Sequence, residues 1–417
     1  MAKRTGSSRK RSDSAQRKSA RTYGGKTRMI TTQADLETLC AELRTQSSFA
    51  FDTEFVMEDV YRPEVCVVQL ATERLTAVVD PFQVDDLAPV WALVADENIE
   101  VIVHAGMEDL AICQEQGGQT PRNVFDCQLA CGLVTTDFPL SLARLTRFLL
   151  GVRLHKSQTL TDWRKRPLTD AQVEYAADDV RYLPAARRAL ARKLEKTGRT
   201  EWAAEEMARF HQPETYVRGP DEKVLKLKGA GSLDGQGLAV AAELVKARSR
   251  LAAQYNRPAR VVVRDHLLVE IARHRWTESQ DIRTLRGINL KPAALRDLGE
   301  AVRRGEALPP EAWPTPAPVD DESEAEAALA MLVGAVLRSR CADLGIAHQL
   351  VATRKDIRAF VRVMVRGLEC AASIALCAGW RKSQFGDLLR GVLAGDRSVA
   401  VAGSRGHPRI VVQPPAK

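Results

Sequence analysis

Hydrophobic and polar positions alternate along "SSFAFDTEFVM", Ser47 to Met57, with the period of two that marks a β-strand, predicted over 48–56. Phe49, Phe51, Thr53 and Phe55 fall on one face, and Ala50, Asp52, Glu54 and Val56 on the other. Before it, "TTQADLETLCAEL" repeats its apolar residues at helical spacing behind a Thr or Asp cap. After it come two apolar runs, 64–72 and 74–80, joined tightly enough to form a hairpin. A helix around 85–95, the strand "IEVIVHA", a helix from Gly106, the short strand "NVFDC" and several further helices complete this part. Strands that first pair antiparallel and then alternate with helices predict a mixed α/β sheet covered by helices.

Beyond about residue 212 the pattern becomes purely helical. Residues 213–234 are turn-rich and polar and read as a linker. A helical module is predicted over 235–308, in which "TESQDIRTLRGI" begins with a capping box, Thr277 to Gln280, and stops at Gly287. A Pro-rich, then acidic connector (309–327) leads to a second helical module, 328–395, and residues 396–417 read as a loose tail. Residues 1–28, rich in Ser, Arg and Lys, hold almost nothing apolar and read as a disordered basic arm with no signal-peptide core. Within that arm "ARTYGGKT" satisfies a relaxed phosphate-loop pattern. The buried strand that such a loop needs before it is missing, so a nucleotide site is not expected there.

Composition sharpens the picture. The chain has 417 residues, 45% hydrophobic and 27% charged, enough for several cores. It contains no apolar run near the ~18 residues of a membrane span. A soluble, cytoplasmic monomer is the expectation, and the eight scattered cysteines are expected to be reduced. The net charge of +8 is the outcome of a partition: +9 over residues 1–29, −10 over 30–212 and +9 over 213–417. An acidic module between basic flanks suits a polyanion held by the flanks while the middle carries cations or chemistry.

The acidic residues are placed accordingly. Asp52 and Glu54 share a face of an otherwise apolar strand. "HAGMEDLAIC" puts Glu108 and Asp109 at the start of a helix after a buried strand, where α/β folds assemble sites; position alone does not separate the two. In "LTDAQVEYAADDVRYL", Tyr175 and Asp179 lie four apart on the inward face with Ala176 and Leu183, while Asp178 joins the solvated row of Glu174 and Arg181. Four inward carboxylates would be intolerable without positive charge. Two divalent cations, Mg²⁺ or Mn²⁺, would supply it and suit phosphodiester hydrolysis.

These motifs, "DTE", "HAGMED" and "YAADD" in that order, resemble the tyrosine subclass of the DEDD exonucleases, which have a ribonuclease H-like fold. "HKSQTLTDWRKRPLTDAQVEYAADDVRYL" resembles the ribonuclease D family in particular. The resemblance spans about Met29 to Arg209 and prefers Asp109 to Glu108. It implies that Asp52, Glu54, Asp109 and Asp179 are the metal ligands and that Tyr175 positions or helps to deprotonate the attacking water. His104 would shape the strand end rather than bind metal. Lys156, Arg164 and Arg166 would contact RNA phosphates, and Trp163 is expected to pack rather than stack on a base. The module at 235–308, with "NRPARVVVRDHLLVEIARHR", resembles an HRDC domain and carries 14 Lys/Arg against eight Asp/Glu between 238 and 307; "GWRKSQFGDLLRGVLAG" resembles a degenerate second copy. The implied activity is 3′-5′ exoribonuclease action on structured RNA such as tRNA precursors. The competing expectations are an exonuclease acting on DNA and a non-catalytic RNA-binding scaffold with a relic nuclease domain.

Overall fold

The computed structural model describes residues 23–154, 161–216, 219–315, 322–404 and 407–415. Its first domain runs β1 (Thr27–Ile30), α1 (Gln33–Arg44), β2 (Ser48–Val56), β3 (Glu64–Ala71), β4 (Thr76–Val79), α2 (Ala88–Val94), β5 (Glu100–Val103), α3 (Met107–Gly117) and β6 (Val124–Asp126). It continues with α4 (Cys127–Gly132), α5 (Leu142–Leu150), α6 (Asp170–Arg181), α7 (Leu183–Lys196) and α8 (Thr200–Ala208). The strands form one mixed sheet in the order β1-β4-β3-β2-β5-β6. The β2–β3 and β3–β4 pairs are antiparallel; β1–β4, β2–β5 and β5–β6 are parallel. The strand carrying Asp52 and Glu54 is therefore central. Its apolar residues Phe49 and Phe51 are fully buried, each burial contributing roughly 1.5–3 kcal/mol.

The arm reaches less far than its composition suggests. Gly24 and Gly25, both at positive φ, form the turn that feeds Thr27 into β1, and Thr76 Oγ1 donates to the Gly24 carbonyl at 2.8 Å. Sheet pairing from Thr27 onward thus corrects the boundary at residue 28. The Gly24-Gly25 turn leads into an edge strand, with none of the helix a phosphate loop requires.

The HRDC-like module contains α9 (Pro220–Leu225), α10 (Gly235–Tyr255), α11 (Ala259–Val262), α12 (Asp265–His274), α13 (Ser279–Arg283) and α14 (Pro292–Glu306). Val224, Leu227, Ala230 and Leu233 lie in the same core as α10, so much of the stretch read as a linker is part of the module. The expected capping box at Thr277 does not form. Glu278 is the N-cap of α13 and makes no side-chain cap bond, while the Thr277 backbone is pressed against Gly299 of α14, where a Cβ would collide with it.

The last region holds α15 (Glu324–Leu344), α16 (His348–Val351), α17 (Arg354–Val365), α18 (Gly379–Arg381), a π-turn at Lys382–Gly386 and α19 (Asp387–Leu393). The residues read as a loose tail instead form a β-hairpin, β7 (Ser398–Ser404) with β8 (His407–Gln413), whose Val399, Ile410 and Val412 pack against the core. This region shares one continuous core with the exonuclease-like domain. Trp380 stacks on Trp202 at 4.7 Å, its Nε1 donates to Glu206 at 2.7 Å, and Arg381 Nη2 donates to Glu206 at 2.9 Å. Arg199 donates to the carbonyls of Leu133 and Leu344, bridging the two regions. Six cysteines are free and buried, but Cys370 and Cys377 are joined in a disulfide, which corrects the expectation of eight reduced thiols.

Candidate functional site

Strand β2 delivers two carboxylates because its period of two leaves Asp52 and Glu54 opposite the Phe49–Phe51 face. They pair across to Gln69 and Val67 of β3, and a register irregularity between Glu54 and Phe55 lies where the strand leaves the core. Such bulges commonly re-aim side chains at sites.

Asp109 arrives from α3. Gly106 caps that helix so close to β5 that a Cβ there would stand 2.5 Å from Val103 Cβ, which excludes any other residue. Asp126 holds the same turn, accepting from the Ala105 amide at 3.1 Å and from the Gln128 amide at 2.7 Å. Asp109 is buried and Glu108 exposed, so the structure places Asp109 inward. Its Oδ1 accepts from both the amide and the hydroxyl of Thr53. Sequence reasoning misses Thr53 and Asp126, because a lone Thr and an N-cap Asp carry no motif of their own.

Helix α6 supplies the fourth carboxylate and the tyrosine. A complete capping box, Thr169 with Gln172, starts it. Fully buried Ala176, Ala177 and Val180 let it lie on β2, β3 and β4. Arg181 engages Asp178 and Glu174 on the outer row, leaving Asp179 and Tyr175 toward β2.

The electrostatics of the group are consistent with this placement. Burial, then repulsion from Asp109, Asp179 and Glu54, pushes Asp52 well above the usual carboxylate range. Burial, then Asp179 and Asp109, lifts Glu54 to about 8. Burial, then Asp178 and Asp109, lifts Asp179 to about 7. Burial also raises Asp109, against the hydrogen bonds from Thr53. Among the described residues, no lysine or arginine stands among the main charges acting on any of the four. Among the same residues no three His, Cys, Asp or Glu side chains already stand at ion-holding spacing. The all-oxygen donor set still fits a hard divalent cation, since bound positive charge is what four mutually repelling carboxylates lack.

Tyr175 lies beside them with its phenol pushed up to about 12 by burial and by Asp179, Glu54 and Asp52, so it remains protonated at neutral pH. His104 is largely buried, and burial lowers its pKa against the pull of Asp126 and of the Leu140 backbone. Trp163 packs with Cys66, Val67 and Ala176, its ring centroid 6.0 Å from that of Tyr175.

The expected phosphate contacts fare differently. Lys156 lies outside the described residues. Arg164 forms a two-pronged pair with Asp59, at 2.9 and 2.7 Å, and bonds Glu64 at 2.6 Å. Arg166 contradicts its expected role: its five N–H groups go to Asp80 twice, and to the carbonyls of Trp163, Lys165 and Cys66. The guanidinium ties the segment before α6 to the sheet and has no donor left for a phosphate.

Known proteins resemble the chain along most of its length. The model of a 3′-5′ exonuclease domain matches residues 27–195, and that of the HRDC domain matches 237–301. Ribonuclease D of Bartonella henselae is 31% identical over 377 residues, covering 89% of this chain and 91% of the relative. Ribonuclease D of a Jannaschia species is 33% identical over 387 residues, covering 90% and 97%. The crystal structure of Escherichia coli RNase D aligns with a TM-score of 0.75 at 27% identity, over 88% of this chain and 99% of that one. With an exonuclease domain whose carboxylates meet on β2, α3 and α6, an HRDC domain after it, and relatives matched across nearly their whole length, this chain belongs to the ribonuclease D family of nucleases.

Proposed function

We propose that the protein is a 3′-5′ exoribonuclease that trims structured RNA precursors, such as those of tRNA, and releases 5′-mononucleotides. The Escherichia coli protein is described as an exoribonuclease involved in structured RNA processing. The observation that carries the reading here is the convergence of Asp52, Glu54, Asp109 and Asp179 with no cation among the main charges acting on them.

In this reading those four residues hold two divalent cations, Mg²⁺ or Mn²⁺. Held there, they would supply the positive charge that lowers the pKa of a water on one side of the terminal phosphodiester and offsets charge on the leaving oxygen on the other. Thr53 orients Asp109 from behind. Tyr175, held protonated, offers its hydroxyl to position the attacking water and the phosphate oxygens. Asp126 and Gly106 keep the α3 turn in register so that Asp109 faces β2. The basic HRDC module supplies positive surface for the body of the RNA.

The test is incubation of the protein with 5′-labelled RNA bearing a single-stranded 3′ end, in Mg²⁺, Mn²⁺ or EDTA, beside Asp52→Ala and Asp179→Asn. The expected result is a metal-dependent ladder shortening from the 3′ end, lost in both variants while RNA affinity is retained. Undiminished cleavage by either variant removes the metal assignment, and binding without any cleavage by the wild type favours a scaffold.

A further inference from the structure

Several arginines near the surface of this protein are paired. Arg164, Arg181, Arg187 and Arg366 each hold a carboxylate. Three arginines without such a pair share one concavity. Between α15, the π-turn with α19, and the β7–β8 hairpin lies a groove of about 560 Å³ into which Arg340, Arg397 and Arg409 all project. Among the described residues, none of the three has a partner in an ion pair or a side-chain hydrogen bond.

The groove is built rather than incidental. Ser339 donates its hydroxyl to the Ile410 carbonyl at 3.0 Å and accepts from the Ile410 amide at 3.2 Å. This clamp fixes the hairpin against α15 one residue from Arg340 and one from Arg409. Arg397, just ahead of β7, packs its stem where a Cβ on Gly391 would touch it, 3.1 Å from Cδ. Asp343 and Asp387 also line the groove without pairing to the arginines.

We propose that this groove binds the sugar-phosphate backbone of RNA at a distance from the 3′ end being cut. The inference rests on the exoribonuclease reading for the identity of the polyanion. Guanidinium groups with free N–H forks match phosphate oxygens. The two carboxylates would repel a phosphate but accept a hydrogen bond from a ribose 2′-hydroxyl, the group that separates RNA from DNA. A lining that mixes three free arginines with two free aspartates therefore suits a ribonucleotide strand better than a bare anion. None of these residues lies on the elements that carry the active-site carboxylates, so the groove and the site can be altered separately.

The test uses the full chain and a triple variant, Arg340→Ala with Arg397→Ala and Arg409→Ala. Binding to a 5′-fluorescein RNA hairpin with a single-stranded 3′ tail is monitored by anisotropy in EDTA across a range of salt. Turnover of a pentaribonucleotide is measured in Mg²⁺. The triple variant is expected to bind the hairpin about tenfold more weakly, with the salt dependence reduced by about 2 for three lost phosphate contacts. Its turnover of the pentanucleotide should match the wild type, which also shows that it is folded. Arg397→Glu alone, at an exposed position, should shift affinity in the same direction. Hairpin affinity and salt dependence equal to the wild type in the triple variant would overturn the proposal. Asp343→Asn with Asp387→Asn should narrow the preference for RNA over DNA of the same sequence, and an unchanged preference overturns the part given to the carboxylates. If the wild type cleaves neither RNA yet the triple variant still loses affinity, the exonuclease reading fails while the groove stands.

Discussion

Thr53 donates both its amide and its hydroxyl to one oxygen of Asp109, linking the central strand to the helix after β5. The residue between the two strand carboxylates thus holds the third. Thr53→Val, which keeps the amide and removes the hydroxyl, deletes a charge-assisted bond worth roughly 1.5–3 kcal/mol. Turnover is expected to fall about tenfold or more with KM nearly unchanged, and Thr53→Ser to restore it. Steady-state kinetics on a labelled oligoribonucleotide would show this, and equal activity in the Val variant would leave Asp109 oriented by something else.

The carboxylate cluster is a source of instability when no cation is bound. Glu54 has a folded pKa of about 8 against an ordinary value of 4.5, so the folded state takes up the proton more readily. This contribution is fully present below about pH 4.5 and is lost as pH rises through about 8. In EDTA, Glu54→Gln should therefore melt higher than the wild type at pH 8 and show little gain at pH 5. Saturating Mg²⁺ should shrink the gain at pH 8. Calorimetry with and without the metal decides it; a gain independent of pH would remove charge as the cause.

Arg166 and Asp80 form an inward pair, their side chains 19% and 1% exposed. Burial would raise the Asp80 pKa, but hydrogen bonds from Arg166, Gln83 and the Phe82 amide hold it below its usual value. Breaking such a pair from one side costs about 3–5 kcal/mol. Arg166→Ala is expected to lower the denaturant midpoint sharply, whereas a phosphate contact would lose RNA affinity and leave stability intact. Urea unfolding beside RNA titration separates the two roles.

Glu206 receives Trp380 Nε1 and both terminal nitrogens of Arg381 while itself only 5% exposed. Removing it strands a guanidinium at the seam between the exonuclease domain and the C-terminal helices. Glu206→Ala should destabilise by about 3 kcal/mol, and Glu206→Gln by less. Limited proteolysis should then cut first within the region from α15 onward; resistance equal to the wild type would mean that the Trp202–Trp380 stack, the Arg199 bonds and the shared core secure the seam without Glu206.

Local periodicity is enough for the parts of the active site. Alternation along 48–56 puts Asp52 and Glu54 on one face, and helical spacing in "YAADD" puts Tyr175 beside Asp179 and Asp178 with Arg181, because these relations depend only on backbone geometry within one element. Between elements the sequence is mute. Arg166 reads as a phosphate ligand until Asp80, 86 residues earlier, closes on it. Thr53 is an ordinary strand residue until α3 brings Asp109 to it. The stretch around Val224 and Leu227 looks like a linker because its apolar residues are sparse, yet α10 offers them a core. The hairpin at 398–413 likewise gains its place from α15, through Ser339 and Ile410. Which charges are neutralised, and which short polar segments find a surface to bury against, depends on contacts made across long chain separations, so only the tertiary structure decides them.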